Sequence, residues 1–351
     1  MSNTTNFIYL LLKFYKIYIK KKNLYIVCTY TSIVWVVKIK RKVIQIANST
    51  QLVSLPRKWA QKYDIKKGDE LEVEEQGNKI SISTEKTQDP GNIDVNITGL
   101  DRDSFMFLLR ALYIRGYNEI KLTFNEPFAE HHRIGKKVSV ISQIHAEANR
   151  LTGLEVIQQR ENFCVLKVLT ESSIKDFDLI FRRLFLLLND ASNDFINGAI
   201  KGDKYLIESM EEKHNTITKF MANSLRLLNK VGHPEYNKTQ IYYHIIESID
   251  FINDILKNNA RDVIDSNIKI SKPCESILRS VNDSLQDFSK LFYKFDFKMI
   301  EKISSDRYEI WRDIKQLTKK LSKEEIRLVI NMEQIVEIIY TLKVARTALE
   351  Y

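Results

Sequence analysis

Residues 38–84 read KIKRKVIQIANSTQLVSLPRKWAQKYDIKKGDELEVEEQGNKISIST. Ile39, Val43, Ile44 and Ile46 make a β-rich run with partial alternation, and Asn48-Ser49-Thr50 is turn chemistry. A second strand starts over Leu52–Leu55. Pro56 stands where a helix N-terminus favours proline, ahead of a short helix over Arg57–Tyr63. Lys67-Gly68-Asp69 turns the chain, and Leu71, Val73, Ile80 and Ile82 form a hairpin around Gln76-Gly77-Asn78. A stretch of this length buries too little surface to fold alone, so it needs a second chain.

Charge is segregated within the stretch. Lys38, Lys40, Arg41, Lys42, Arg57 and Lys58 face no acid between 38 and 58, whereas the acids gather after residue 59. One basic face is what phosphate contact requires; a basic edge that only blocks sheet aggregation is the bland alternative. Val53-Ser54-Leu55-Pro56, Arg57-Lys58-Trp59 and Lys67-Gly68-Asp69-Glu70-Leu71 resemble the AbrB/SpoVT swapped-hairpin family. The resemblance implies two chains interleaving their hairpins into one body that binds double-stranded DNA. Candidate contacts are Lys40, Arg41, Lys42, Asn48, Ser49, Thr50, Arg57 and Lys58. Many family members carry a glycine in the turn before the second strand, where this chain has Asn48-Ser49-Thr50.

Upstream, the chain is of another kind. Residues 1–37 contain no Gly, Ala, Pro, Asp or Glu. The formal net charge of +9 belongs wholly to residues 1–42, which hold nine Lys and Arg and no acid, so the remainder sums to zero. The apolar runs Phe7–Ile19 and Leu24–Val37 are interrupted and short of the roughly 18–20 clean residues of a spanning helix. No small-residue cleavage site follows them. Three readings stay open: translation starting near Val36 or Val37, a membrane-surface or weak anchor with Lys20–Lys22 against anionic lipid, and an ordinary folded extension. Cys28, Cys164 and Cys274 are isolated, which fits a reducing cytoplasm.

Downstream of a linker over 85–92, residues 93–170 read β-α-β-α-β-β: strand Ile93–Thr98, helix Asp101–Arg115, strand Glu119–Phe124, helix Val138–Leu151, hairpin Leu154–Gln159 with Phe163–Leu169. That order implies a small sheet with helices on one side. Glu130-His131-His132 and His145 lack metal-site spacing, because neighbouring histidines on an extended chain point to opposite sides.

Residues 174–351 hold six amphipathic helices, about 174–200, 203–230, 237–265, 273–300, 302–320 and 323–350. Asp250-Phe-Ile-Asn-Asp254 and Glu333-Gln-Ile-Val-Glu337 share a pattern 83 residues apart, so the region divides into three-helix repeats over about 174–265 and 273–351. These motifs, with Asp178-Leu-Ile-Phe-Arg182-Arg183, resemble the PhoU family. An AbrB-type module ahead of such a region is an arrangement of archaeal regulators linked to phosphate uptake. Glu247, Asp250 and Asp254 share a face away from the apolar stripe, and Glu333 and Glu337 cluster similarly. The resemblance implies metal there, and oxygen-rich donors suit Fe, Mn or Mg. Glu211-Glu212-Lys213-His214-Asn215 departs from the family's more acidic run, and a merely solvated stripe is the alternative.

The fold expectation is therefore α+β multidomain: a swapped-hairpin β module, a small α/β joining module and tandem all-α bundles. The function expectation is a dimeric, cytoplasmic, non-enzymatic DNA-binding regulator, with sensing or partner binding by the helices, and phosphate-transport or signalling proteins as implied partners. No P-loop, GxGxxG or GxSxG motif is present. An adaptor that does not bind DNA and an antitoxin-like regulator are the alternatives. A start near Val36 predicts that N-terminal peptide mapping of the native protein recovers nothing upstream; peptides spanning Phe7–Lys20 would decide for the anchor or the extension.

Overall fold

The computed structural model describes residues 40–46, 50–76, 79–84 and 91–351. The expectations for residues 1–37, for most of the linker and for the 77–78 turn lie outside them. At the N-terminal side, β1 (Ile44–Ile46) pairs antiparallel with β2 (Thr50–Leu52), matching Ile44 to Leu52 and Ile46 to Thr50. The second strand thus starts earlier than the sequence suggested and stops before Val53. Helix α1 (Arg57–Lys62) opens behind Pro56, whose carbonyl accepts from the Ala60 N–H at 3.0 Å. Strands β3 (Glu72–Gln76) and β4 (Lys79–Ser83) form the expected second hairpin.

The joining module is one four-stranded sheet in the order β5-β6-β10-β9: β5 (Asn92–Asn96), β6 (Glu119–Thr123), β9 (Leu154–Arg160) and β10 (Phe163–Val168). Strands β5 and β6 are parallel, as a helical crossover demands, and the other pairings are antiparallel. The crossover is α2 (Arg102–Arg115). Its N-cap Asp101 accepts the N–H groups of Asp103 and Ser104, and Gly116 closes it at φ 108°, a left-handed conformation costly for any residue with a Cβ. Phe105, Met106, Leu109 and Tyr113 line its buried side and meet Ile120, Leu122, Cys164 and Leu166 of the sheet in one core. Helix α3 is Val140–Ala148. At the head of β9, a Cβ on Gly153 would lie 2.0 Å from the Thr170 carbonyl oxygen, so only glycine permits this approach.

One hairpin was missed: β7 (Phe128–His131) with β8 (Lys136–Ser139). Its first strand contains His131, buried, followed by exposed His132. The opposite orientation of the two histidines follows from the pleat.

The helical body consists of α4 (Phe177–Lys201), α5 (Lys204–Glu208), α6 (Met210–Lys230), α7 (Thr239–Ser266), α8 (Lys272–Tyr293), α9 (Phe297–Leu317) and α10 (Lys323–Glu350). The expected second helix is broken at Ser209, whose hydroxyl donates to the Leu206 carbonyl at 2.8 Å. The fourth ends at Tyr293 rather than near residue 300, because Asp296 caps the next helix by accepting the Lys298 N–H. Helix α10 starts with a capping box between Ser322 and Glu325. Glu325 also accepts the Ser271 N–H at 2.7 Å, tying the starts of α8 and α10 together.

The repeat expected from two acidic pairs extends through the core. Buried Phe181, Leu184, Phe185, Leu188 and Phe195 of α4 recur 93 residues on as Cys274, Ile277, Leu278, Val281 and Phe288 of α8, all buried. Ile245, Ile246, Ile249, Ile252 and Leu256 of α7 recur 83 residues on as Leu328, Val329, Met332, Ile335 and Ile339 of α10. Between the repeats, buried polar groups meet half-buried partners: Ser192 with Asn282, Ser289 with Asn189, and Asn259 with Asn331.

The α/β module docks on α6 through Arg226, only 4% exposed. Its guanidinium donates to the carbonyls of Tyr113 (2.7 Å) and Tyr117 (2.9 Å), to Asn118 Oδ1 (2.6 Å) and to Glu171 Oε1 (2.9 Å). Lys230 donates to the same Asn118 and Glu171 oxygens, and Asn229 to the Ile114 carbonyl. Replacing Arg226 strips partners from buried acceptors, which typically costs about 3 kcal/mol or more. Arg226→Ala is expected to lower the urea midpoint and speed proteolysis of the 169–176 segment; an unchanged cleavage rate and midpoint would refute the clamp.

Candidate nucleic-acid interface and the acidic faces

Lys40, Arg41 and Lys42 precede β1 and are exposed, as are Arg57 and Lys58 in the first turn of α1 and Thr50 at the start of β2. Asn48 and Ser49 lie outside the described residues. None of the five basic groups forms an ion pair with another described residue. Two acids of the module are engaged with Lys66: Asp64 pairs with its ammonium at 2.8 Å, and Asp69 accepts its N–H at 2.7 Å.

Among the described residues of 40–84 whose burial is defined, not one is buried. Val43, Ile44, Ile46, Leu52, Val53, Val73, Ile80 and Ile82 are 40–69% exposed. Covering eight such side chains is worth on the order of 10 kcal/mol. Only Trp59 and Tyr63, with ring centroids 5.7 Å apart, make an aromatic contact within it. Two hairpins flank a six-residue helix, with apolar side chains uncovered and Lys40, Arg41, Lys42, Arg57 and Lys58 exposed.

The carboxylates of the helical body do not face solvent as a bare stripe. Asp254 Oδ1 lies 2.9 Å from His214 Nε2 of α6 and 2.5 Å from Lys257 Nζ. Burial opposes ionisation of Asp254, but the hydrogen bonds and charges of His214 and Lys257 outweigh it and hold the carboxyl below its ordinary range. Asp250 is pushed up to about 6 by burial and by the Asp254 charge, against the pull of Arg110, and its Oδ1 is buried without a hydrogen-bond partner. Partial burial also raises Glu247. Burial lowers His214, against the pull of Asp254, and its Nδ1 is buried without a partner. Arg110 of α2 belongs to the joining module and donates to fully buried Glu147 at 2.7 Å, which Arg150 also meets at 3.3 Å. Asp254 on the acidic face of α7 is therefore tied to α6, while Glu247 of the same face remains exposed.

In the second repeat Glu337 takes two hydrogen bonds of 2.8 Å from Arg307 of α9. Burial, then the Glu337 charge, raises Glu333. Glu333 borders a shallow surface hollow of about 640 Å³ with Tyr308, Trp311, Arg312 and Lys315. Among the described residues no three His, Cys, Asp or Glu side chains converge as metal ligands, and Asp254 and Glu337 are already met by Lys257, His214 and Arg307. As arranged, Glu247, Asp250, Asp254, Glu333 and Glu337 do not fit an Fe, Mn or Mg ion. Arg110, Arg226 and Arg307 escaped the sequence reading, as did the contact of His214; Leu225, Leu227 and Leu228 mark Arg226 as a charge in an apolar run without fixing which way it points.

Residues 44–89 match the family model of MazE, the bacterial antitoxin of antidote–toxin recognition. The N-terminal module is of this MazE/AbrB type. Among solved structures, two PhoU-like proteins of Shewanella oneidensis MR-1 are similar at 12% and 13% identity, covering 51% and 50% of this chain and 96% of each of theirs, with a TM-score of 0.34 in both cases. Likeness at that level carries no argument beyond itself. No curated protein matches the chain. Among the described residues no helix is long and apolar enough to cross a membrane.

The unpartnered Asp250 yields a pH prediction. Its folded pKa lies above the ordinary 3.8 of an Asp, so the folded state holds the proton longer than the unfolded chain does. Stability is then lost as pH rises from about 4 to about 6, by roughly 2–3 kcal/mol. Asp250→Asn is expected to raise the melting temperature at pH 7.5 and to leave it nearly unchanged at pH 4. Asp254→Asn should do the reverse at neutral pH, lowering it. Melting curves in which Asp250→Asn destabilises at pH 7.5 would contradict this.

Proposed function

We propose that this protein is a DNA-binding regulator that works as a dimer through residues 40–84, its helical body receiving a signal or a partner. The observation that carries the reading is the absence of any buried side chain among the described residues of a module whose basic groups are all exposed. Apolar hairpin faces that no other described residue covers call for a second copy, and pairing two copies brings two sets of exposed basic residues onto one body. Duplex DNA carries the matching charge, and a two-fold body favours two-fold related half-sites. The MazE-type match over 44–89 supports a module of this class. Phosphate-transport or signalling partners follow from the resemblance of the helical region, and cytoplasmic residence from the cysteine usage.

A second reading has its own observation. The matched model describes antidote–toxin recognition, so a toxin is the alternative occupant of the exposed apolar strands. The roughly 260 residues beyond the module favour the regulator, because a toxin-binding tail can be short.

If Arg41, Lys42, Arg57 and Lys58 each contact phosphate, their combined replacement by Ala should weaken binding to every duplex and lower the salt slope by about one unit per lost contact. The full chain should sediment as a dimer. Duplex affinity of the quadruple variant equal to that of the unaltered chain would reject DNA binding and leave the adaptor reading; a monomer at micromolar concentration would reject the two-fold module.

A further inference from the structure

The two acidic pairs occupy equivalent places in the repeats, and so do the groups that meet them. Helices α6 and α9 share a register: Met210, His214 and Ile217 recur 93 residues on as Ile303, Arg307 and Ile310, with Met210, Ile217, Ile303 and Ile310 all buried. His214 crosses to Asp254 of α7, and Arg307 crosses to Glu337 of α10. Asp254 and Glu337 are themselves equivalent, 83 residues apart. One contact between second and third helices is thus made twice, with different donors.

Both donors are fixed in place. Arg307 holds both oxygens of Glu337 and lies 3.8 Å from the ring centre of Trp311 and 4.3 Å from that of Tyr340. Stacking of this kind favours a guanidinium over a hydrated point charge. In the first repeat the Lys257 ammonium stands 2.5 Å from Asp254 Oδ1 and 3.2 Å from His214 Nε2, and Lys257 is mostly buried. A divalent ion seeks several carboxylate or carbonyl oxygens free of counter-charge. Here it would have to expel a buried ammonium at one pair and a stacked, bidentate guanidinium at the other.

We infer that each acidic pair is the seat of a side-chain cation, Arg307 from the preceding helix at Glu337 and Lys257 at Asp254, with His214 of the preceding helix hydrogen-bonding Asp254, so that the helical body closes without a metal ion. The acids retained in both repeats then act as staples between the second and third helices. This stands independently of DNA binding by the N-terminal module.

The test uses the full chain purified without chelator. Elemental analysis for Mg, Mn, Fe and Zn is expected to find far less than one ion per chain, and melting should move by less than about 1 °C with either EDTA or excess Mn²⁺. Arg307→Gln and Glu337→Gln should each lower the melting temperature by roughly 2–4 °C, and the double variant should lie closer to the unaltered chain than the sum of the two. Metal near one or two equivalents, a fall in melting temperature with EDTA, or fully additive single variants would each overturn the inference. Should a single variant fail to fold, the metal content and the EDTA and Mn²⁺ melts of the unaltered chain decide alone.

Discussion

The Arg226 guanidinium sits at the centre of the junction between the two halves of the described body. Arg226 lies under the aromatic ring of Tyr113, its charge 4.8 Å from the ring centre, and gives hydrogen bonds to four oxygens from the α2 end, the β6 approach and the segment leaving β10. Two of those oxygens are main-chain carbonyls flanking the left-handed Gly116 at the end of α2, and the Tyr113 carbonyl also accepts the Gly116 N–H at 3.0 Å. A helix end buried against another helix leaves orphan acceptors, and a long planar donor is the economical answer. The cavity that receives it then excludes water from the Tyr113 hydroxyl as well, whose pKa rises to about 12, chiefly through burial. Sheet, helix end and bundle are held by the same atoms.

Polar interactions inside this protein are spent on position more than on stability. The core is continuous from the sheet through both helical repeats, and apolar burial supplies most of the driving force. Against that background, Ser192–Asn282, Ser289–Asn189 and Asn331–Asn259 contribute little net energy but penalise any slip of one repeat against the other, since a slip would leave buried polar groups unpaired. The Arg110–Glu147–Arg150 group does the same between α2 and α3.

Periodicity made the helices and most strands legible, because an apolar stripe records which side faces a core. It located the third and last helices within a few residues and the sheet strands almost as closely. It misplaced the α8–α9 break because Lys294–Ile303 still reads as an amphipathic continuation, and only the cap at Asp296 reverses that. The β7–β8 hairpin was missed because its short strands combine charge with histidine and carry no clear alternation. The acidic faces were visible as patterns, but their surroundings were not: His214 and Arg110 come from distant positions, and a wheel drawn on α7 alone assigns to solvent whatever is not apolar. Arg226 shows the same limit, since one charge among leucines can snorkel outward or be enclosed.

The uncovered hairpins at one end and the closed core at the other set different kinetic orders for one chain. The helical body can complete its burial with its own residues, a first-order event once those residues have been synthesised. The module over 40–84 has no described interior to close, so in the dimer proposed above its completion waits on a second copy and scales with concentration. Synthesis runs from the N-terminus, so the module leaves the ribosome ahead of the helical body and, as a dimer, is completed after it. Until then its β-branched faces travel exposed, guarded only by the lysines and arginines that flank them.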